Sequence, residues 1–290
     1  MVGQARFRDV NTRLRRRMDE VGTLIVVHRG TAVGSVAENT PAAVAAAVAS
    51  GGDVVEIDVV RSTDGEFFAF HDGEEPRLLG TEADLRTLTA AEIRVQRHVH
   101  VDRPGRPSRV AGLRGLLTGM PPGTLVNLDR SWDWWEALLP ELDRLGMAGQ
   151  LLLKCRAEDG DRVAVLRDHG VKYPFLPICT TVDQAFAHLD DPDLNTVGVE
   201  LLTRDPAGPF LQDGVVAELH ARGVLVLVNA EVLSTGVDLF AGYDDERSVL
   251  GDPGEGWGPL FDLGVDAIQT DWPWLLRDYR SSRRRAMVEA

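Results

Sequence analysis

The sequence predicts an α/β protein, a TIM-type (β/α)8 barrel formed by residues 1–290 as one domain. Three observations lead there. Short apolar runs alternate with segments that carry a helical apolar face, and strand–helix repetition of this kind builds a parallel sheet. One pair of runs is too closely spaced for a parallel crossover, so it must be a hairpin, and setting it aside leaves eight units. Ionisable residues gather at the carboxyl ends of the runs, the face on which such barrels build their sites.

Taken in order, TLIVV (23–27) is the first predicted strand. A helix follows over 39–52, with Thr40 as N-cap, Pro41 at the first helical position and Gly51 just past the end. The second strand, DVVEIDVV (53–60), is separated from EFFAF (66–70) only by RSTDG, which predicts an antiparallel hairpin through an Asp64-Gly65 turn. The barrel is thus expected to carry a hairpin extension of strand 2. Residues 72–118 are long and polar, with a helix-like piece at TEADLRTLTAAEI and a loop at 103–109, and are expected to form an insertion or lid over one end. The remaining strands are TLVNLD (124–129), QLLLKC (150–155), FLPICT (175–180), TVGVELL (196–202), VLVLVNA (224–230) and AIQTD (267–271). Between them DWWEALLPELDRLG, AEDGDRVAVLRDHG, TVDQAFAHLDD and QDGVVAELHARG each present an apolar face.

Composition narrows the function. A net charge of −14 argues against a general nucleic-acid binder. The longest apolar stretches, AAVAAAVA (42–49) and VLVLV (224–228), are too short to span a bilayer, so no stable membrane insertion is expected. No apolar segment follows the basic N-terminus, and a cytoplasmic location is expected. Cys155 and Cys179 have no CxxC spacing and suggest no disulfide framework. The arginine clusters at 13–17 and 280–285 read as solvated termini. Against 29 arginines there are two lysines, Lys154 and Lys172, so Lys154 at the end of LLLK draws notice as a compact point charge. The partner these features suit is a small molecule; oligomeric state is not written in the sequence.

The second strand breaks its own pattern. In VVEIDVV, Glu56 and Asp58 stand where apolar residues are expected, and a buried carboxylate must protonate, pair or bind a cation. A two-residue turn would pair Thr63 with Glu66 and set His71 opposite Asp58, on the face that Glu56 shares by the period of two. His28 ends the first strand, Asp129 the strand VNLD and Lys154 the strand LLLK. Glu56, Asp58 and Asp129 are oxygen ligands suited to Mg²⁺ or Ca²⁺. Two histidines supply an acid and a base near neutral pH, and Arg29 and Lys154 supply positive charge for an anion. Together these groups suit phosphoryl chemistry. A non-catalytic phosphoester-binding barrel is the alternative of another class. An amidohydrolase-type metal barrel would want H-x-H on the first strand, where the sequence reads H-R-G. His98, His100, His169, His188 and His220 read as surface or helix residues.

The stretch VVHRG…ENTPAAVAAAVASGGDVVEIDVVRSTDGEFFAFHD (26–72) resembles the glycerophosphodiester phosphodiesterase family, whose signature is HRG, ENT, E-x-D, T-x-DG and HD in that order. LGVDAIQTDWPWLL (263–276) resembles the family's closing strand. The resemblance implies one divalent cation on Glu56 and Asp58, Mg²⁺ or Ca²⁺ with Mn²⁺ as a third option. It implies His28 and His71 as the acid/base pair and Arg29 as a phosphate ligand. The family's third metal ligand is a Glu in N-x-E-x-K; here NLDRS puts Asp129 in its place and Ser131 in the place of the Lys, whose charge Lys154 would replace. Trp272 stands where many members have Arg, and could flank a polar head group or a choline-like cation. Glu38 and Asn39 either shape the first loop or touch substrate. The implied reaction is hydrolysis of a glycerophosphodiester to an alcohol and glycerol 3-phosphate. A lyase that stops at a cyclic phosphate, as the sphingomyelinase D enzymes do, is the nearest variant.

Overall fold

A computed structural model of the chain describes residues 2–99, 108–212 and 214–289. Its strands are β1 (Leu24–Val27), β2 (Val54–Arg61), β3 (Phe67–Ala69), β4 (Ala111–Gly112), β5 (Leu125–Asp129), β6 (Leu151–Leu153), β7 (Ile178–Cys179), β8 (Gly198–Leu201), β9 (Leu225–Asn229) and β10 (Ala267–Thr270). Eight run parallel, in the order β6-β5-β2-β1-β10-β9-β8-β7, while β3 and β4 add to β2 as antiparallel strands. Between β6 and β7 the ladder is not continuous. Isolated parallel bridges at Leu153–Phe175 and Arg156–Ile178 replace it, because Pro174 and Pro177 remove two of the backbone donors a regular strand would use.

The helices are α1 (Thr12–Val21), α2 (Pro41–Ala49), α3 (Glu75–Leu79), α4 (Ala90–Val95), α5 (Leu113–Gly119), α6 (Trp135–Asp143), α7 (Gly160–Asp168), α8 (Val182–Phe186), α9 (Val215–Ala221), α10 (Pro253–Gly256), α11 (Gly258–Leu263) and α12 (Pro273–Glu289). None of those in the described residues is long and apolar enough to cross a membrane. Thr40 caps α2 as expected, its hydroxyl accepting from the Ala43 N–H.

Period-two alternation sorts the strand residues into two cores. Ile25, Val27, Val55, Ile57, Val126 and Leu128 pack with the helices. Leu24, Val26, Val54, Leu125, Leu152 and Leu227 form a second cluster with Leu14 of α1. Further along the same faces the residues turn polar while staying buried: Glu56, Asn127, Lys154, Glu200, Asn229 and Gln269. An apolar floor with a polar layer above it is the setting of the site.

Two sequence expectations are corrected. The arginine clusters are not simply solvated termini. They lie on α1 and α12, and Arg17 and Arg280 both reach Asp53, whose Oδ1 and Oδ2 they bond at 2.7 and 2.6 Å. Asp53 also accepts the Ile25 N–H at 2.8 Å, so one buried carboxylate ties the first helix, the last helix and β1 together. The hairpin register is one residue off the expected one: Val59 faces Ala69, Val60 faces Phe68 and Arg61 faces Phe67. The turn has three residues, Thr63-Asp64-Gly65, with Gly65 at φ 96° and its N–H on the Ser62 carbonyl. Asp64 spends its side chain on the Ala90 N–H of α4. Asp58 therefore lies opposite Phe70, and His71 falls just beyond the end of β3.

Within 72–118 the helix-like piece is α4, started by a Thr89/Glu92 capping box. β4, which the sequence reading did not include, pairs with β3, and Phe68, Phe70, Leu79, Leu85 and Ile93 make a small core of their own. The expected loop at 103–109 lies mostly outside the described residues.

The Asp53 cluster gives the first prediction. Asp53→Ala strands the buried Arg280 guanidinium and should cost about 3–5 kcal/mol in urea unfolding. Arg16→Ala, which breaks only a solvent-facing pair with Glu20, should cost less than about 1 kcal/mol. Equal stabilities for the two variants would remove the clasp assigned to Asp53.

Candidate active site

The β2–β5 register sets Glu56 beside Asn127 and Asp58 beside Asp129. Each of Glu56, Asp58 and Asp129 offers one oxygen to a group whose members all lie within 4.8 Å of one another. Three carboxylates at that spacing repel strongly, and burial plus the charges of Asp58 and Asp129 push the Glu56 carboxyl well above its usual range. Glu56 Oε2 accepts the Arg29 backbone N–H at 2.7 Å, while buried Oε1 has no hydrogen-bond partner. Asp58 Oδ2 accepts from Asn39 Nδ2 at 2.9 Å and lies 3.4 Å from Arg29 Nε. Asp129 accepts its neighbour's N–H, that of Arg130, at 2.6 Å and meets Lys154 Nζ at 2.9 Å. Despite burial, Lys154 and Arg130 hold the Asp129 carboxyl below its usual range. A hard divalent cation fits this donor set: all-oxygen, net negative, with one buried oxygen unpartnered.

Lys154 is 1% exposed and sits between Asp129 and Glu200, whose Oε2 is 3.0 Å away. Glu200 in turn takes the Asn229 amide at 2.8 Å. The lysine thus lies in the polar layer rather than on the open rim.

His28 follows β1. Its Nδ1 is 2.9 Å from Asp271 Oδ1, at the end of the neighbouring β10. Burial lowers the imidazole, but the Asp271 hydrogen bond and the charges of Glu231, Asp271 and Glu56 outweigh it and lift the pKa to about 10. Asp271 is itself held from behind. Asp245 Oδ2 accepts the Asp271 N–H at 2.8 Å, and its Oδ1 accepts from Trp257 Nε1 and Thr270 Oγ1.

Arg29 stands at φ 54° and is followed by Gly30 at φ 70°. A Cβ on Gly30 would sit 2.9 Å from backbone and Cβ atoms of Ala43, so only glycine lets this turn press onto α2. Arg29 Nη1 bonds Glu38 at 2.7 Å and lies 3.5 Å from Glu74. Arg77 closes the circle, bonding Glu38 at 2.8 Å and Glu74 at 2.6 Å. His71 orients its ring by Nδ1 to the Asp72 carbonyl at 2.8 Å, and the Asp72 carboxylate is gripped by Arg130 and Arg86. Although burial opposes it, Glu74 is held below its usual range by Arg77, Arg29 and His71, and its N–H rests on the His71 carbonyl at 3.2 Å. Trp272, 37% exposed, stands edge-on to Trp274 next to Asp271.

His28, Arg29, Glu38, Glu74, Arg77 and Asp271 line a cleft of about 300 Å³, walled by Val232, Leu233 and Ser234. A somewhat larger groove between α5 and α6 is lined by Leu113, Leu117, Leu138 and Leu142, away from the strand ends, and lacks such a constellation. The structure brings together His28, Arg29, Glu56, Asp58, Asp129 and Lys154, with His71 and Trp272 on the rim. Sequence reasoning missed Asp271, Glu74, Glu231 and Asp245. Asp271 had a signal, a carboxylate ending the strand that pairs with the one bearing His28.

Residues 28–274 match the sequence model of the glycerophosphoryl diester phosphodiesterase family. Among solved structures, a glycerophosphoryl diester phosphodiesterase from Parabacteroides distasonis is similar, with TM-score 0.71 and 18% identity over 90% of this chain and 86% of that one. A glycerophosphodiester phosphodiesterase from Agrobacterium tumefaciens gives TM-score 0.64 and 20% identity over 88% and 99%. One from Thermotoga maritima gives 0.60 and 16% over 89% and 98%. At these identities the likeness speaks for the fold. No curated protein sequence matches the chain. The match across most of its length settles the family: the chain belongs to the glycerophosphoryl diester phosphodiesterases, which are phosphoric diester hydrolases.

Proposed function

We propose that this protein is a divalent-metal-dependent phosphodiesterase that hydrolyses glycerophosphodiesters to an alcohol and glycerol 3-phosphate, with His28 and His71 sharing the proton transfers. The observation that carries this reading is the convergence of Glu56, Asp58 and Asp129 around an unpartnered buried oxygen, beside the His28–Asp271 pair. We further infer one barrel domain, closed across the β6–β7 seam by the Leu153–Phe175 and Arg156–Ile178 bridges, with about 72–118 as an insertion at one end.

Glu56, Asp58 and Asp129 would hold the cation, Mg²⁺ or Ca²⁺, which when bound supplies Lewis-acid polarisation of a phosphoryl oxygen. Arg29 binds the phosphate and holds the diester over the carboxylates. Both histidines present the same nitrogen. His71 Nδ1 faces a carbonyl and His28 Nδ1 a carboxylate, groups that only accept, so Nδ1 carries hydrogen in each and Nε2 is left to exchange protons. One ring takes the proton of the nucleophile and the other gives one to the leaving alcohol. Lys154 acts through Asp129, supplying positive charge below the carboxylates. Trp272 borders the head group of the substrate.

Activity on glycerophosphocholine should depend on Mg²⁺ or Ca²⁺ and be abolished by chelator. Phosphorus NMR should show glycerol 3-phosphate; a cyclic phosphate that persists would overturn hydrolysis in favour of the lyase reaction. His28→Ala and His71→Ala should fold normally and lose about 10²–10⁴-fold in kcat, while Glu56→Gln should lose bound metal by equilibrium dialysis. Full activity in either histidine variant would sink its role.

Asp271 yields a pH prediction. Its carboxylate favours the charged imidazole, so Asp271→Asn must lower the His28 pKa. The limb of the kcat/KM–pH profile that His28 governs should move to lower pH. A limb that stays in place would separate Asp271 from His28.

A further inference from the structure

Glu231, two residues past β9, is 4% exposed; its charge acts on His28, but neither the metal, the histidines nor the phosphate uses its second oxygen. Its Oε1 accepts from Gln269 Nε2 at 2.8 Å, which fixes the orientation of that amide. Glu231 Oε2 and Gln269 Oε1 are then both buried, and neither has a hydrogen-bond partner. Leaving such groups unpaired is costly, so a partner belongs there when the site is filled. Both atoms are acceptors, which calls for a donor. Burial, first of all, and the charge of Asp271 raise the Glu231 carboxyl while His28 lowers it, so the field there is mixed in sign and suits a neutral donor; a quaternary ammonium has no N–H to give. Hydroxyls remain. The place is also right: the next residues after Glu231, Val232–Ser234, wall the cleft, and Gln269 is two residues before Asp271 on the same strand end.

We propose that Glu231 and Gln269 form a hydroxyl-reading subsite for the glycerol portion of the diester, Glu231 Oε2 and Gln269 Oε1 accepting from its free hydroxyls, the terminal one included. The proposal rests on the phosphodiesterase reading above. It makes Glu231 and Gln269 specificity residues, separate from those that carry the reaction. A site built to accept from a hydroxyl rejects the analogue that lacks it, because its own acceptors are then left unpaired.

The test compares glycerophosphocholine with its analogue lacking only the terminal hydroxyl, so that the hydroxyl beside the phosphoester is kept in both. The wild-type enzyme should favour glycerophosphocholine in kcat/KM by about tenfold or more. Glu231→Leu should bring the ratio to within about threefold of unity, chiefly by loss on glycerophosphocholine, and Glu231→Gln, whose single oxygen is held by Gln269 Nε2 so that an amide NH2 takes the place of the free acceptor, should lower the preference as well. Taking the ratio removes any effect transmitted through His28, which falls on both substrates alike. Should Glu231→Leu not fold by circular dichroism, Gln269→Leu carries the same expectation. Equal losses on both substrates, with a displaced pH profile and an unchanged ratio, would overturn the subsite and leave Glu231 acting on His28. Turnover of either diester by the wild-type enzyme upholds the phosphodiesterase reading whichever way the ratio falls.

Discussion

Crowding three carboxylates within 4.8 Å is the constraint that the surrounding structure answers to. At an effective dielectric of 20 each close pair of like charges repels by about 3–4 kcal/mol. The β2–β5 register makes this proximity unavoidable, because Asp58 and Asp129 are direct partners and Glu56 shares their face. The protein's own compensation is incomplete. Lys154 divides itself between Asp129 and Glu200, and Arg29 divides itself among Asp58, Glu38 and Glu74. What is missing is positive charge and one ligand for Glu56 Oε1, and a divalent cation, if bound as proposed, would provide both at once.

The same constraint shapes the backbone. Among the described residues, non-glycine residues at positive φ are Arg29, Asn39, Arg130 and Ala241, and the first three touch the carboxylate cluster. Arg29 gives its N–H to Glu56, Asn39 pairs with both the side chain and the N–H of Asp58, and Arg130 gives its N–H to Asp129. Left-handed backbone at a residue with a Cβ is unfavourable, and it persists here because each of the three donors meets a carboxylate. The HRG turn and the ENT segment are also tied to each other, the Asn39 N–H resting on the Arg29 carbonyl at 2.8 Å. Residues ten apart in sequence thus act as one fixture around β1 and β2.

Much of this was legible in the sequence, and the limits are instructive. Glu56 and Asp58 announced themselves by breaking a β-branched run, and strand spacing alone separated the parallel units from the hairpin. The register could not be read, since Asp64-Gly65 is compatible with a two- or a three-residue turn. The choice is made by a distant contact, Asp64 on the Ala90 N–H. The arginine clusters were opaque for a similar reason: Arg17 and Arg280 are 263 residues apart, and only the fold reveals that both answer to Asp53. Glu231 and Asp245 sit in a loop without periodicity, and their burial follows from where β9 and β10 end.

The closed circuit of Glu38, Arg77, Glu74 and Arg29 would leave a phosphate, in the reaction proposed, a way to an arginine already surrounded by carboxylates. Its four contacts are unequal. Arg29 meets Glu38 at 2.7 Å but Glu74 only at 3.5 Å, whereas Glu74 meets Arg77 at 2.6 Å. Glu74 would therefore keep its tighter partner if Arg29 turned away, and the contact Arg29 would surrender to an incoming anion is its longest one. Arg77 is half exposed and bridges both carboxylates, so their charge stays matched during the exchange. Glu38, 7% exposed, is bound to both arginines and shares the Arg29 guanidinium with Asp58. An arginine shared among three carboxylates in this way lines the cleft with its charge not wholly committed to Asp58, as the proposed phosphate role requires.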